Sequence, residues 1–221
     1  MKTPFVFPKW TNKVPAIFAV SFTLFACFAI FAIWYWASPK NTTVGYQPIQ
    51  PVAYSHKLHA GQLGIDCRYC HFNVERGRHA GVPPTDVCMN CHNLITRGPT
   101  TGTAEISKIR EAHESGVPIK WVRIHKLAEF AYFDHSAHVN KGVSCMVCHG
   151  RVDQMDEVRA VAPLSMGWCL ECHRNPAPNL RDRKLITNLA WKADGDPAEL
   201  GKQFIEKYHV HPRTDCSTCH R

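Results

Sequence analysis

Five short cysteine–histidine motifs carry the chemistry that this sequence can perform. In each, two residues separate two cysteines, and a histidine directly follows the second cysteine. This C-x-x-C-H pattern is typical of covalent c-type haem attachment, where two thioethers hold the porphyrin and the imidazole becomes the proximal iron ligand. Zinc knuckles and disulfides also use paired cysteines, but neither requires that histidine. The motifs are Cys67, Cys70 and His71; Cys88, Cys91 and His92; Cys145, Cys148 and His149; Cys169, Cys172 and His173; and Cys216, Cys219 and His220.

The region after residue 40 is too short to enclose five macrocycles inside a conventional layered core. It is rich in proline and glycine, with 15 and 13 of them in the whole chain, and these residues favour turns. Patterns with the period of a strand or of an amphipathic helix are rare in it. The predicted fold class is therefore mostly coil with short α-helices wrapped around five c-type haems, plus one N-terminal transmembrane helix.

The formal charge of +8 invites a nucleic-acid interpretation. Haem propionates change that sum, because five haems would bring it to roughly +3 when oxidised and −2 when reduced. The surplus of lysine and arginine is more simply explained by propionate partners and a solvated surface. No nucleic-acid partner is predicted.

An uncharged apolar run near the N-terminus predicts a membrane span. It extends from Ala16 to Trp36, and a helix of that length is about 31 Å long, close to the thickness of the hydrocarbon core. Lys2, Lys9 and Lys13 precede it, so the positive-inside rule places the N-terminus in the cytoplasm. We expect an inner-membrane protein with a single span and its haem domain on the periplasmic side.

A cleaved signal peptide is the alternative for this segment. Its apolar stretch would be shorter, about 7–15 residues, and would end in a small-x-small cleavage site. The sequence Tyr35-Trp36-Ala37 is a poor match to such a site. An uncleaved anchor is therefore expected, with Cys27 as a small apolar thiol inside the span.

The haem region contains an internal duplication. An aromatic-x-His-x-x-His block precedes the first motif and recurs before the third, and each copy continues to a second motif. This predicts two dihaem modules followed by a segment with one further haem. The predicted divisions are a cytoplasmic tip and anchor at 1–40, a dihaem module at 41–100, a connector at 101–129, a second dihaem module at 130–178 and a C-terminal segment at 179–221.

The duplicated blocks also sort the remaining histidines. Two histidines at i and i+3 lie on one face of a helical turn, so each block can supply one ligand to its own haem and one to a neighbouring haem. Four distal ligands follow from the two blocks, and a fifth must come from elsewhere. His79 and His113 are interpreted as surface residues. The predicted distal ligands are His56, His59, His125, His135 and His138, with His209, His211 and Met166 as alternates.

The His-x-x-His block before C-x-x-C-H resembles the class III multihaem cytochromes, whose haems carry two histidines. A longer string is more specific, and it begins with Trp121-Val-Arg-Ile-His125-Lys-Leu. It continues through Tyr132-Phe-Asp-His135-Ser-Ala-His138 to Ser165-Met-Gly-Trp-Cys169. Together with the anchor and five haems, it resembles the pentahaem cytochrome subunit of alternative complex III, a quinol-oxidising respiratory assembly.

That resemblance implies a relay subunit that passes electrons toward a periplasmic carrier or a terminal oxidase. The implied partners are polytopic quinol-binding subunits, an iron–sulfur protein and monohaem cytochromes. Iron held by two imidazoles has no open position, so we expect electron transfer and no substrate site in this subunit. The alternatives are a quinol dehydrogenase of the NapC/NrfH type that itself oxidises quinol, a multihaem reductase with a substrate-binding haem, and a haem-storage protein.

Overall fold

The computed structural model of the chain describes residue 4 and residues 6–221. Lys2, which contributes to the predicted membrane orientation, lies outside the described residues. The chain divides into two compact units, Met1–Thr42 and Thr43–Arg221. The finer division of the second unit into two modules, a connector and a C-terminal segment stays a prediction.

Short helices joined by irregular chain make up the described part of the protein, which confirms the expected class of mostly coil and helix. No β-strand occurs in residues 4 and 6–221, and the only pairing of strand type there consists of three isolated bridges. The α-helices are α1 (Val14–Trp36), α2 (Pro39–Thr42), α3 (Cys67–Cys70), α4 (Thr85–His92), α5 (Ala104–Ser115), α6 (His135–Val139), α7 (Cys145–His149), α8 (Met166–Arg174), α9 (Pro197–Tyr208) and α10 (Cys216–Cys219).

The first unit contains the one described helix that is long and apolar enough to cross a membrane. A 3₁₀ turn at Lys9–Lys13 leads into α1, and a proline lies in the first turn of α1, where its missing N–H costs nothing. The mean hydropathy of the span is 2.5, and none of the α1 side chains is buried in the chain. A signal sequence near the N-terminus also passes this test of length and hydropathy, so the test does not distinguish it from an anchor.

The second unit has a small and divided apolar core. Nine of its buried apolar side chains form three separate clusters of three residues each, whereas a domain usually has one contiguous core. The polypeptide alone therefore provides little of the apolar interior that a unit of this length needs. The clusters are Val52, Met89 and Ile109; Val74, Val139 and Ile186; and Leu180, Tyr208 and Val210.

The first histidine block is held by the second copy of the duplication. The Lys57 amide donates to the Met155 carbonyl at 3.0 Å, and the Ser55 hydroxyl donates to the Asp156 carboxylate at 2.8 Å. Gly61 lies so close to this loop that a Cβ there would overlap the Asp153 carbonyl. The loop that follows the third cysteine motif therefore supports the histidines that precede the first.

The second histidine block is held in the same manner by the first copy. The His135 amide donates to the Arg78 carbonyl, and the Ser136 amide donates to the Gly77 carbonyl, both at 3.3 Å. The Asn140 side chain donates to the Glu75 carbonyl at 2.9 Å. The two copies therefore interlock, each using the loop after the other's first motif.

Helix α9 packs against the turn at residues 177–179 through Gly201, where a Cβ would overlap the Ala177 carbonyl oxygen. We expect Gly201→Ala to lower the free energy of unfolding by about 1–3 kcal/mol, because the backbones must separate to admit a methyl group. Gly167→Ala in α8 is the matched control, since no atom lies within 4 Å of a Cβ there. The control should be neutral or more stable by up to about 1 kcal/mol. Denaturant unfolding followed by circular dichroism measures both, and equal effects would contradict the close approach at Gly201.

Candidate haem-binding site

All five cysteine motifs lie on short helical turns. The two cysteines of a motif are at i and i+3 and the histidine is at i+4, so all three side chains project from one face. The residue before the first cysteine caps two of these turns, because Asp66 accepts from the Arg68 amide at 2.8 Å and Ser144 from the Met146 amide at 3.3 Å. Two thiols and an imidazole therefore converge on one side of each helix, as covalent haem attachment requires.

The cysteines are arranged as free thiols, with no disulfide between them. Across residue 4 and residues 6–221, no group of three or more His, Cys, Asp or Glu side chains is arranged to hold a metal ion. A zinc knuckle needs four converging ligands. The paired cysteines thus do not form one in the described part of the chain.

Most of the predicted haem ligands have one ring nitrogen fixed by a backbone carbonyl. A carbonyl can only accept, so Nδ1 carries the proton and Nε2 keeps a free lone pair. Metal-bound histidines typically show this second hydrogen bond, which sets the tautomer and the ring orientation. Among the proximal histidines, Nδ1 bonds to the carbonyl of the following residues: Gly81 for His71 at 2.7 Å, Ile95 for His92 at 2.9 Å, Arg213 for His173 at 2.7 Å and Phe130 for His220 at 3.2 Å. Among the predicted distal histidines, Nδ1 bonds to the carbonyl of Ser55 for His59, of Arg78 for His135 and of Asp134 for His138, each at 2.8 Å.

Three pairs of imidazoles are spaced to share an iron. Metal–nitrogen bonds of about 2.0 Å on opposite sides of one ion put the two ring centres about 6 Å apart. In each pair a predicted distal histidine faces a proximal one. The ring centres are 6.3 Å apart for His59 and His92, 6.0 Å for His138 and His173, and 6.3 Å for His135 and His149.

His56 lies near His71, the proximal histidine of the first motif. Burial lowers the pKa of His56 to about 4, and the neighbouring His71 and His59 lower it further in the same direction. Its buried Nδ1 has no hydrogen-bond partner. Burial therefore favours the neutral form of His56, which is the form that can bind a metal, but its Nδ1 lacks the carbonyl partner that most of the other predicted ligands have.

His125 lies in the same region, but its ring is packed directly against that of His149. Its ring meets that of His149 edge-on at 4.3 Å, which is too close for a metal between them. Its buried Nε2 has no partner, and burial lowers its pKa. The structure thus brings five imidazoles together in the centre of the second unit: His56, His71, His125, His135 and His149.

The alternate ligands lie away from this cluster. His209 and His211 are exposed, and Met166 is 66% exposed. The ring that lies near His220, the proximal histidine of the fifth motif, is that of Phe130 at 5.7 Å, which cannot ligate a metal. The distal ligand of the fifth site therefore stays a prediction. Of the two histidines interpreted as surface residues, His79 is exposed and His113 pairs with the Asp86 carboxylate at 2.8 Å.

One aromatic ring contacts both histidines of each block. Tyr54 meets His56 edge-on at 4.8 Å and stacks on His59 at 4.4 Å. In the other copy Phe133 meets His135 edge-on at 4.8 Å and lies tilted over His138 at 4.6 Å. The aromatic position belongs to the duplicated pattern, but its role in holding two rings emerges only from the structure.

Cysteines of different motifs lie next to each other in specific pairs. Cys67 and Cys145, the first cysteines of motifs one and three, are close enough that each shifts the pKa of the other thiol. Burial raises the pKa of Cys70, and nearby Cys88 adds to that effect. Burial likewise raises the pKa of Cys148 to about 12 with help from Cys172, and that of Cys169 with help from Cys219.

These residues fit covalently bound haem c. The fit rests on thiols and imidazoles sharing one helix face, on Nε2 atoms left free by the Nδ1 hydrogen bonds, and on the buried, unpartnered Nε2 of His125. A macrocycle would complete the divided apolar core.

No protein-family model matches the chain. It is similar to a curated protein of Nitratidesulfovibrio vulgaris named menaquinone reductase, multiheme cytochrome c subunit. The two sequences are 27% identical over 161 residues, which cover 64% of this chain and 74% of the relative.

The aromatic contacts generate a spectroscopic prediction. We expect Tyr54→Leu to leave the haem content unchanged but to alter the low-spin ferric g-values of the haems for which His56 and His59 are the predicted ligands, because the two imidazoles lose the aromatic surface that fixes their planes. The lost ring packing should cost about 0.5–1.5 kcal/mol of stability. Electron paramagnetic resonance of the purified chain measures the g-values. Tyr54→Phe, which installs the residue of the other copy, is the control and should keep the parent spectrum; identical spectra for all three proteins would contradict the contact's role.

The Asp66 cap generates a prediction about acid stability. Hydrogen bonds from Arg68 lower the pKa of Asp66 to about 2, and Thr187 contributes to the same direction. An unfolded aspartate titrates near 3.9, so this stabilisation is present above about pH 4 and is lost as the pH falls toward 2. Asp66→Ser keeps a cap, as Ser144 does in the other copy, but removes the charge. Its unfolding free energy should therefore depend less on pH between about 4 and 2 than that of the parent, and parallel curves would contradict the assignment.

Proposed function

We propose that this chain is the multihaem electron-transfer subunit of a membrane complex that exchanges electrons with quinol. The observation that carries the proposal is the set of three imidazole pairs 6.0–6.3 Å apart. Two imidazoles on one iron leave no position for a substrate, and such haems transfer electrons without binding one. The relative's name, a multiheme cytochrome c subunit of a menaquinone reductase, supports the same assignment.

Five haems c are attached through the ten motif cysteines. Haem c supplies a one-electron Fe(III)/Fe(II) couple. His71, His92, His149, His173 and His220 ligate the irons from the proximal side. The distal ligands would be His56, His59, His125, His135 and His138, with His209, His211 and Met166 as alternates.

The protein residues contribute orientation, charge and exclusion of water. Backbone carbonyls fix the imidazole planes through Nδ1, and the aromatic rings of Tyr54 and Phe133 hold two imidazoles each. Burial keeps His56 and His149 neutral, with pKa values of about 4 and about 3. A neutral imidazole has the lone pair that iron needs.

The apolar helix α1 anchors the subunit in the inner membrane as a single span with its N-terminus in the cytoplasm. The second unit then lies on the periplasmic side, where c-type haems are attached. Within this proposal the finer assignment is the pentahaem subunit of alternative complex III. Its partners there are integral-membrane quinol-binding subunits, an iron–sulfur subunit and monohaem cytochromes, and it relays electrons toward a periplasmic carrier or a terminal oxidase.

Gentle detergent extraction of native membranes tests this function. A native gel stained for haem, with mass spectrometry of the stained band, should show the chain in a large assembly with polytopic and iron–sulfur proteins. A small band that holds the chain alone and oxidises a menaquinol analogue would overturn the relay and favour a self-sufficient quinol dehydrogenase. Five haems per chain are expected from the pyridine haemochrome absorbance, and a high-spin ferric signal that binds cyanide would contradict closed coordination.

A further inference from the structure

The spatial order of the five sites can be deduced from contacts between motifs, taking site 1 as the motif at Cys67 and counting along the chain to site 5 at Cys216. Sites 1 and 3 meet in the centre. The thiols of Cys67 and Cys145 are neighbours, and each shifts the pKa of the other. The residues just before them are held by adjacent positions, since Thr187 donates to Asp66 at 2.9 Å and Ser144 donates to the Ile186 carbonyl at 2.8 Å. The two copies thus join through their first sites.

Site 2 lies beside site 1. The Asn90 side chain, inside the second motif, donates to the Tyr69 hydroxyl inside the first motif at 2.9 Å. Tyr54 also touches both His56, which lies by site 1, and His59, which faces His92 of site 2. Nothing comparable connects site 2 with any other motif in the described part of the chain.

Site 4 repeats that relation to site 3 in the other copy. Phe133 touches both His135, which faces His149 of site 3, and His138, which faces His173 of site 4. The thiols of Cys148 and Cys172 are neighbours as well. The duplication therefore places sites 2 and 4 on the outer sides of a central pair.

Site 5 continues from site 4. The imidazole of His173 donates from Nδ1 to the carbonyl of Arg213, three residues before Cys216. The carbonyl of Cys219 accepts from the Tyr132 amide at 2.6 Å, which ties the last motif to the start of the second copy. Site 5 therefore extends the row on the side of sites 3 and 4.

Solvent exposure of the motif cysteines agrees with this row. Cys91 of site 2 and Cys216 of site 5 are exposed, and the other eight motif cysteines are partly buried. Exposed attachment points are expected at the two ends of a row and not inside it.

We propose that the haem sites form one unbranched row in the order 2–1–3–4–5, so that electrons enter and leave this subunit at sites 2 and 5. The inference rests on the proposed electron-transfer function. Each step moves one electron between neighbouring sites, with no bond formed or broken, and the electron comes from a reduced partner at one end and passes to an oxidised partner at the other. The order differs from the order of the motifs in the sequence, because the two copies join through their first sites.

The positions of the irons in a cryo-electron microscopy map of the intact complex test the order directly. The four shortest iron–iron distances should be 2–1, 1–3, 3–4 and 4–5, and the longest should be 2–5. A short 2–4, 2–3 or 1–5 distance would overturn the row. Fewer than five haems in the map would instead count against the proposed function, so the two failures are distinguishable.

Redox titration of full-length variants gives a second readout. An end site is removed by the double substitution Cys88→Ala and Cys91→Ala (site 2) or Cys216→Ala and Cys219→Ala (site 5). Either double variant should shift the midpoint potential of one of the four remaining haems, because a haem at the end of the row has one neighbour. The matched variant with Cys169→Ala and Cys172→Ala should shift two, because site 4 has two neighbours. Absorbance must first confirm four haems in each variant. Two shifted components on loss of site 2 or site 5 would overturn its place at an end.

Discussion

The hydrogen bond from an imidazole Nδ1 to a backbone carbonyl is the interaction on which the site depends. It fixes the tautomer, frees Nε2 and aims the ring, and it is found in seven of the predicted ligands. Some of these carbonyls are local, such as Ser55 for His59. Others are distant in the sequence, such as Arg213 for His173, so the orientation of these imidazoles also depends on the tertiary fold. A shift of the chain at such a carbonyl would turn the imidazole.

Local spacing was enough to predict the motifs, the histidine pairs and the class of fold. A helical turn places i, i+3 and i+4 on one face whatever surrounds it, which explains why His59 and His138 face the proximal histidines of the second motif in their own copies. The apolar span was equally readable from composition. These features are governed by short-range geometry, and the described structure contains each of them.

The interlocking of the two copies could not be read in the same way. It depends on the close backbone approach of Gly61 to Asp153 and on the amide of His135 meeting Arg78, and neither contact leaves a periodic signal. His125 illustrates the same limit. Its assignment as a ligand stays a prediction, and its edge-on contact with His149 follows from packing between segments that spacing rules do not connect.

The support of the first histidine block has a consequence for the timing of biogenesis. Lys57 is held by Asp156, 99 residues further along the chain, whereas the second block is held by residues made before it. During synthesis from the N-terminus, the second block therefore finds its support as soon as it emerges, while the first must wait for most of the polypeptide. The first block therefore reaches its native support only when the chain extends at least to Asp156.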